Sequence, residues 1–159
     1  MLILVNDWIK HAETKAAGIL AAAGVSAGIL YNLVKGAEGA GQWLCMTSAL
    51  SVIFIILTGF SSALALRPRL VSRGEPTSHL YFDHIARSYP RAHGASGYKK
   101  VVRELTVDDD MLIGEIADQI WANAHVARAK YCWANAGLIS LILTLISLAA
   151  TALTVISIR

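Results

Sequence analysis

Charge is what this chain has least of. Only 16% of its 159 residues are Asp, Glu, Lys or Arg, against about 25% in an ordinary soluble domain. The scarcity is uneven, because residues 16–34, 39–66 and 131–158 contain no charged side chain at all. Each run matches or exceeds the ~20 residues a helix needs to cross a bilayer. The mean hydropathy is +0.53, and the apolar residues are blocked together rather than spaced with an amphipathic period. A soluble globular domain is excluded.

Other absences exclude chemistries. No ionisable residue lies deep in a run, which argues against a proton relay or a charged-substrate transporter, since both need buried Asp, Glu, Lys or His. The two cysteines, Cys45 and Cys132, fall at opposite ends of their runs. They are about 30 Å apart across a bilayer, whereas a disulfide needs Cα atoms within about 7 Å, so free, packed thiols are expected. There is no CxxC or Cys/His zinc spacing. His79, His84 and His93 with Asp83 match no metal-binding spacing and lie in a loop-like stretch. Nucleophile elbow, phosphate-binding glycine loop and paired acids on a span are all missing, so no enzyme, metal or cofactor is expected.

What charge there is has a pattern. Residues 67–132 hold ten Lys and Arg and the N-terminal stub adds Lys10 and Lys15, while the loop after the first run holds only Lys35 and the C-terminus only Arg159. The positive-inside rule places the N-terminus and the central segment in the cytoplasm, with the loop 35–42 and the C-terminus outside. The pI near 9.0 comes from these span-flanking cations, so no nucleic-acid partner is inferred. The first run is longer than a signal-peptide core and is preceded by Asp7, Lys10, Glu13 and Lys15, so it is expected to be retained.

The reading is an all-α integral membrane protein with three transmembrane helices. Residues 1–66 form a stub and a transmembrane hairpin (spans about 16–34 and 43–66), 67–130 a small helical cytoplasmic module, and 131–159 the third span. Span one carries a small-xxx-small pattern, Gly24 to Gly28, suited to close helix packing within the chain or against another subunit. Span two is bulky in its middle and is expected to face lipid there. Trp43, Tyr131 and Trp133 suit an aromatic belt. In span three Ser140, Thr144, Ser147, Thr151 and Thr154 share one face. Their hydroxyls either bond back one turn or form a polar stripe at a helix interface or narrow pore.

In the module, Pro68 stops span two, residues 73–78 connect, and 98–105 form a helix. Thr106 to Asp109 has capping-box spacing. From about Asp108 nothing breaks a helix that continues into span three, a rod of about 75 Å able to act as a lever. Leu112, Ile116, Ile120, Ala124, Ala127 and Tyr131 form its apolar stripe, with Gln119 and Asn123 as polar neighbours.

Three short motifs, in order between correctly placed spans, resemble the transmembrane effectors of bacterial Pycsar anti-phage defence. They are Glu13-Thr14-Lys15-Ala16 before span one, Phe82-Asp83-His84-Ile85-Ala86 after span two, and a helix from Gln119-Ile120 to Lys130-Tyr131 entering span three. Glu13 stands where that family more often has Asp. The resemblance implies an effector that senses cyclic UMP or cyclic CMP made by a partner pyrimidine nucleotide cyclase, then oligomerises and impairs the inner membrane. Such a ligand needs cations for its phosphate, an aromatic face for its base and polar groups for the base edge. Arg87, Arg91, Lys99, Lys100 and Arg103 are candidates for the first role, and Tyr81, Phe82, Tyr89 and Tyr98 for the second. Gln119, Asn123 and His84 are candidates for the third. The same cations also suit solvent or lipid, and Phe82 and Ile85 also suit packing on the helix stripe. A ligand-independent adaptor or a holin-like channel component is the alternative.

Overall fold

A computed structural model describes residues 2–37, 41–68, 79–80, 82–90 and 94–158. The described residues form five helices and no strand: α1 (Leu2–Lys35), α2 (Gln42–Leu66), α3 (Phe82–Ser88), α4 (Ser96–Val107) and α5 (Asp109–Ile158). Three of them, α1, α2 and α5, are long and apolar enough to cross a membrane. The chain divides into one unit of residues 1–9 and 68–127 and another of residues 10–67 and 128–159. The N-terminal stub is itself helical, the first turns of α1.

Helix boundaries follow local chemistry. At the end of α2 the Arg67 N–H donates to Ala63 O at 2.9 Å, and Arg67 is extended at φ −56°, ψ 124°, the conformation a following proline imposes. Between α4 and α5, Asp108 is extended and serves both helices. Its N–H donates to Glu104 O, and its Oδ1 accepts from the Met111 N–H at 3.1 Å. Asp108 is therefore the N-cap, and the expected Thr106 capping box does not form. Thr106 is still inside α4, its hydroxyl donating to Arg103 O. Asp109 and Asp110 then favour the first turn of α5, which runs unbroken for 50 residues.

In the unit of residues 10–67 and 128–159 the usual order of polarity is inverted. Most buried positions are small or hydroxylated: Ala16, Ala65 and Ala134 cluster together, and Ser51, Thr58, Ser62, Thr144 and Thr151 are fully buried, beside a few larger side chains such as Leu44 and Ile19. The large apolar side chains point outward, among them Ile53, Ile56, Phe60, Ile142, Ile146 and Ile156. Water would not tolerate that exterior; lipid does. Helices in lipid gain little from apolar burial and associate through close contact and hydrogen bonds. Antiparallel pairs Thr47–Thr154, Ser51–Thr151 and Thr58–Thr144 join α2 to α5 at 3.3–3.5 Å. The same hydroxyls of α5 also donate to carbonyls one turn back. The α2 hydroxyls do the same, so each pair divides its two protons between the back-bonds and the crossing contact, and the stripe is buried between two helices of one chain rather than lining an open passage.

Gly24 and Gly28 are exposed, and a Cβ on either would meet nothing within 4 Å. Of the two packing roles expected for them, contact within this chain is not made. The glycine that is enclosed is Gly137, where a Cβ would lie 3.1 Å from Ser62 Oγ and 3.5 Å from Ile19 Cγ2. Cys45 and Cys132 are free but exposed, not packed.

Candidate functional site

Residues 1–9 and 68–127 carry the candidate ligand contacts. The chain leaves α3 through Tyr89, whose N–H donates to Ile85 O at 2.9 Å. It turns at Gly94, whose φ of +67° is the left-handed region that side chains disfavour. The turn brings Tyr98 of α4 to Tyr89, with ring centroids 5.4 Å apart and planes inclined at 54°. Ile85, Tyr89, Gly94, Ala95 and Tyr98 line an open pocket of about 280 Å³. The two tilted rings pack on each other and, with the bare glycine backbone, give the pocket an apolar lining. Lys99 and Arg103 lie on α4, exposed, and are not among the described residues lining the pocket.

A second cluster is polar. Gln119 Nε2 donates to Asn123 Oδ1 at 3.1 Å, and Asn123 Nδ2 donates to Asn6 Oδ1 at 3.1 Å. Gln119 is buried and Asn123 half-buried. The inward face of α5 therefore passes through Leu112, Ile116, Gln119, Asn123 and Ala127, and Ala124, expected inside, is exposed. The two amides are committed to each other and to α1, which satisfies buried polar groups. Nearby in sequence, Glu115 accepts from the His79 N–H at 2.9 Å and pairs with its Nδ1 at 3.0 Å. That ties the end of the connector to α5.

The expected site is thus brought together only in part. Tyr98 joins Tyr89 at the pocket, Gln119 joins Asn123 in the amide chain, and His84 is half-buried in α3. The side chains of Phe82 and Arg87, and all of Tyr81, Arg91 and His93, lie outside the described residues.

In the unit of residues 10–67 and 128–159, two of the short sequence motifs prove to be one structure. Lys130 Nζ contacts Glu13 Oε1 at 2.7 Å and Ala65 O at 3.1 Å. Two residues after Glu13 and one after Lys130, Lys15 Nζ sits over the Tyr131 ring, 5.6 Å from its centroid. The sequence marks Glu13, Lys15 and Lys130 as span-flanking charges and members of two motifs, but does not pair them. Their common α-helical phase with Ala12, Ala16 and Ala134, all buried, is the signal that could have paired them. Asn6 was missed for the same reason, because the stub was not read as helix.

Fold and exterior define the class: an all-helical membrane protein with three helices long and apolar enough to span a bilayer. The family model for the Pycsar effector protein domain matches residues 1–157. The chain belongs to that family, the effectors of a bacterial anti-phage defence that works with a cyclase. It is similar to a Pycsar effector protein, PtPycTM, of Propioniciclava tarda, with 29% identity over 150 residues, 93% of this chain and 73% of the relative. No solved structure matches the chain.

Proposed function

We propose that this chain is a multi-pass effector of the bacterial inner membrane, switched on by a cyclic pyrimidine mononucleotide, cyclic UMP or cyclic CMP. In the bound state it oligomerises and impairs the membrane, arresting growth before phage mature. It acts as receptor and effector and catalyses nothing. Its nucleotide comes from a pyrimidine nucleotide cyclase. The match of an effector family along residues 1–157 carries this reading, and the Tyr89–Tyr98 pocket supports it as a place for a pyrimidine ring. Residues 67–130 act as the cytoplasmic module. The Asn6–Asn123 hydrogen bond keeps the N-terminus and the module on one side of the bilayer, and the charge pattern supports the cytoplasm as that side. The exposed Gly24–Gly28 face supports contact between subunits rather than within one.

One observation favours a second reading. The described lining of the pocket has no cation for a phosphate, as expected if the protein is a ligand-independent adaptor or a holin-like component. Detergent-purified protein titrated with labelled cyclic UMP and cyclic CMP separates the two. Saturable binding of one nucleotide, with dye uptake by loaded liposomes only in its presence, supports the effector. Dye uptake without nucleotide supports the holin-like reading.

A further inference from the structure

The groove between α1 and the membrane-entering part of α5 has a polarity gradient that no role above uses. Lys15, Gly18 and Ile19 form one wall, and Tyr131, Ala134, Asn135, Leu138 and Leu141 the other, around a volume of about 450 Å³. Its mouth is cationic: Lys15 is exposed, lies over the Tyr131 ring and has no carboxylate partner among the described residues. One turn deeper, Asn135 presents an exposed amide with no hydrogen-bond partner among the described residues. Below it the lining is apolar, Leu138 and Leu141. Ala134 and Ile19 are buried on the floor, and Gly18 leaves open the space a side chain would fill. From Tyr131 to Leu141 the groove descends ~15 Å at ~1.5 Å per residue, half of a ~30 Å hydrocarbon core. That is one leaflet.

Cation, then hydrogen-bond donor, then aliphatic slot over one leaflet is the order of groups along a phospholipid: phosphate, ester, acyl chain. We propose that this groove is a binding site for an anionic glycerophospholipid of the leaflet on the N-terminal side. Lys15 holds the phosphodiester, Asn135 the ester region, and one acyl chain lies along Gly18, Leu138 and Leu141. Charge complementarity selects the occupant. A second copy of this chain would have to bring a carboxylate to Lys15, but residues 16–34, 39–66 and 131–158 hold none and the neighbouring Glu13 is already held by Lys130, whereas anionic lipid is attracted to every juxtamembrane cation. The inference depends on membrane immersion alone and not on nucleotide sensing.

The test is native mass spectrometry of the detergent-purified full chain mixed with equal phosphatidylglycerol and phosphatidylcholine. The wild type should retain phosphatidylglycerol preferentially. Lys15→Gln should reduce that retention roughly fivefold, the attraction of one cation to an anionic surface, while Lys15→Arg keeps it. Gly18→Leu should fill the groove and lower retention of both lipids, with helical circular dichroism unchanged in every variant. Equal retention of the two lipids by the wild type, or no change in Lys15→Gln, overturns the proposal. So does a Gly18→Leu variant that dissociates a dimer while lipid retention stays constant, because the occupant is then a second copy.

Discussion

Lys130 Nζ and Glu13 Oε1 are 2.7 Å apart, but only one of the two is out of solvent: the lysine side chain is 4% exposed and the glutamate 41%. The lysine also donates to Ala65 O, in the last turn of α2, where carbonyls lack helical partners and Pro68 supplies no N–H. A cation there also opposes the negative end of the α2 dipole. One ammonium therefore joins α1, α2 and α5 where they meet the membrane surface.

The asymmetry sets the order of mutant stabilities. Glu13→Gln leaves the buried ammonium with two neutral acceptors, the new amide oxygen and Ala65 O, and no counter-charge, a loss of about 2–3 kcal/mol. Lys130→Met keeps the volume and leaves a glutamate that can turn to water. Its cost is about 1–2 kcal/mol, the lost charged hydrogen bonds less the relieved burial. Thermal unfolding in micelles should place Glu13→Gln well below Lys130→Met. Equal losses would mean that the lysine is wetter than its place between the helices indicates.

Ser62 Oγ is fully buried and has no hydrogen-bond partner among the described residues. It stands where a Cβ on Gly137 would come to 3.1 Å. Ser62→Ala removes an unsatisfied hydroxyl and should raise stability by about 1 kcal/mol. Gly137→Ala alone should be near neutral, since the hydroxyl can rotate away, whereas Gly137→Leu drives into Ser61, Ser62 and Ile19 and should cost about 1–3 kcal/mol. The double variant Ser62→Ala with Gly137→Ala should exceed the wild type in resistance to SDS unfolding. If Ser62→Ala destabilises, the hydroxyl has a partner, such as a trapped water, that holds it.

These sites show where sequence reading stops. The three spans were legible because uncharged runs leave lipid as the one solvent that suits them. The 50-residue α5 was legible because nothing in it breaks a helix. The hydroxyl face of span three was visible at its 3.6-residue period, yet period says nothing about which helix lies opposite. The Lys130–Glu13 bond joins residues 117 apart, and local pattern carries no information at that distance. Gln119 and Asn123 were read as free polar groups because amides suit a ligand as well as each other. Thr106 and Asp108 both fit a cap, and the choice between them depends on where α4 ends.

The two native thiols test the orientation directly. Both are exposed in the structure, and the charge pattern puts Cys45 at the outer end of α2 and Cys132 at the inner end of the third span. A membrane-impermeant maleimide added to intact spheroplasts should label the wild type and Cys132→Ser. It should not label Cys45→Ser until the cells are opened. The reverse pattern would place residues 67–130 outside the cell, out of reach of a nucleotide made in the cytoplasm.

The Tyr89–Tyr98 slot makes the sharpest demand on the proposed ligand. An aromatic side chain stacked on a base contributes about 1–3 kcal/mol, so Tyr98→Ala should weaken cyclic UMP or cyclic CMP binding about tenfold. Tyr98→Phe keeps the ring face and should stay within about twofold of the wild type, one-fifth of the loss in Tyr98→Ala. Gly94→Ala tests the same slot through the backbone. A φ of +67° costs an L-residue roughly 1–2 kcal/mol, strain that the turn relieves by shifting the backbone that lines the pocket. That variant should lose affinity although it touches neither ring. A wild type that binds one nucleotide, with Tyr98→Ala binding it equally well, would keep the receptor and move its pocket elsewhere in residues 67–130.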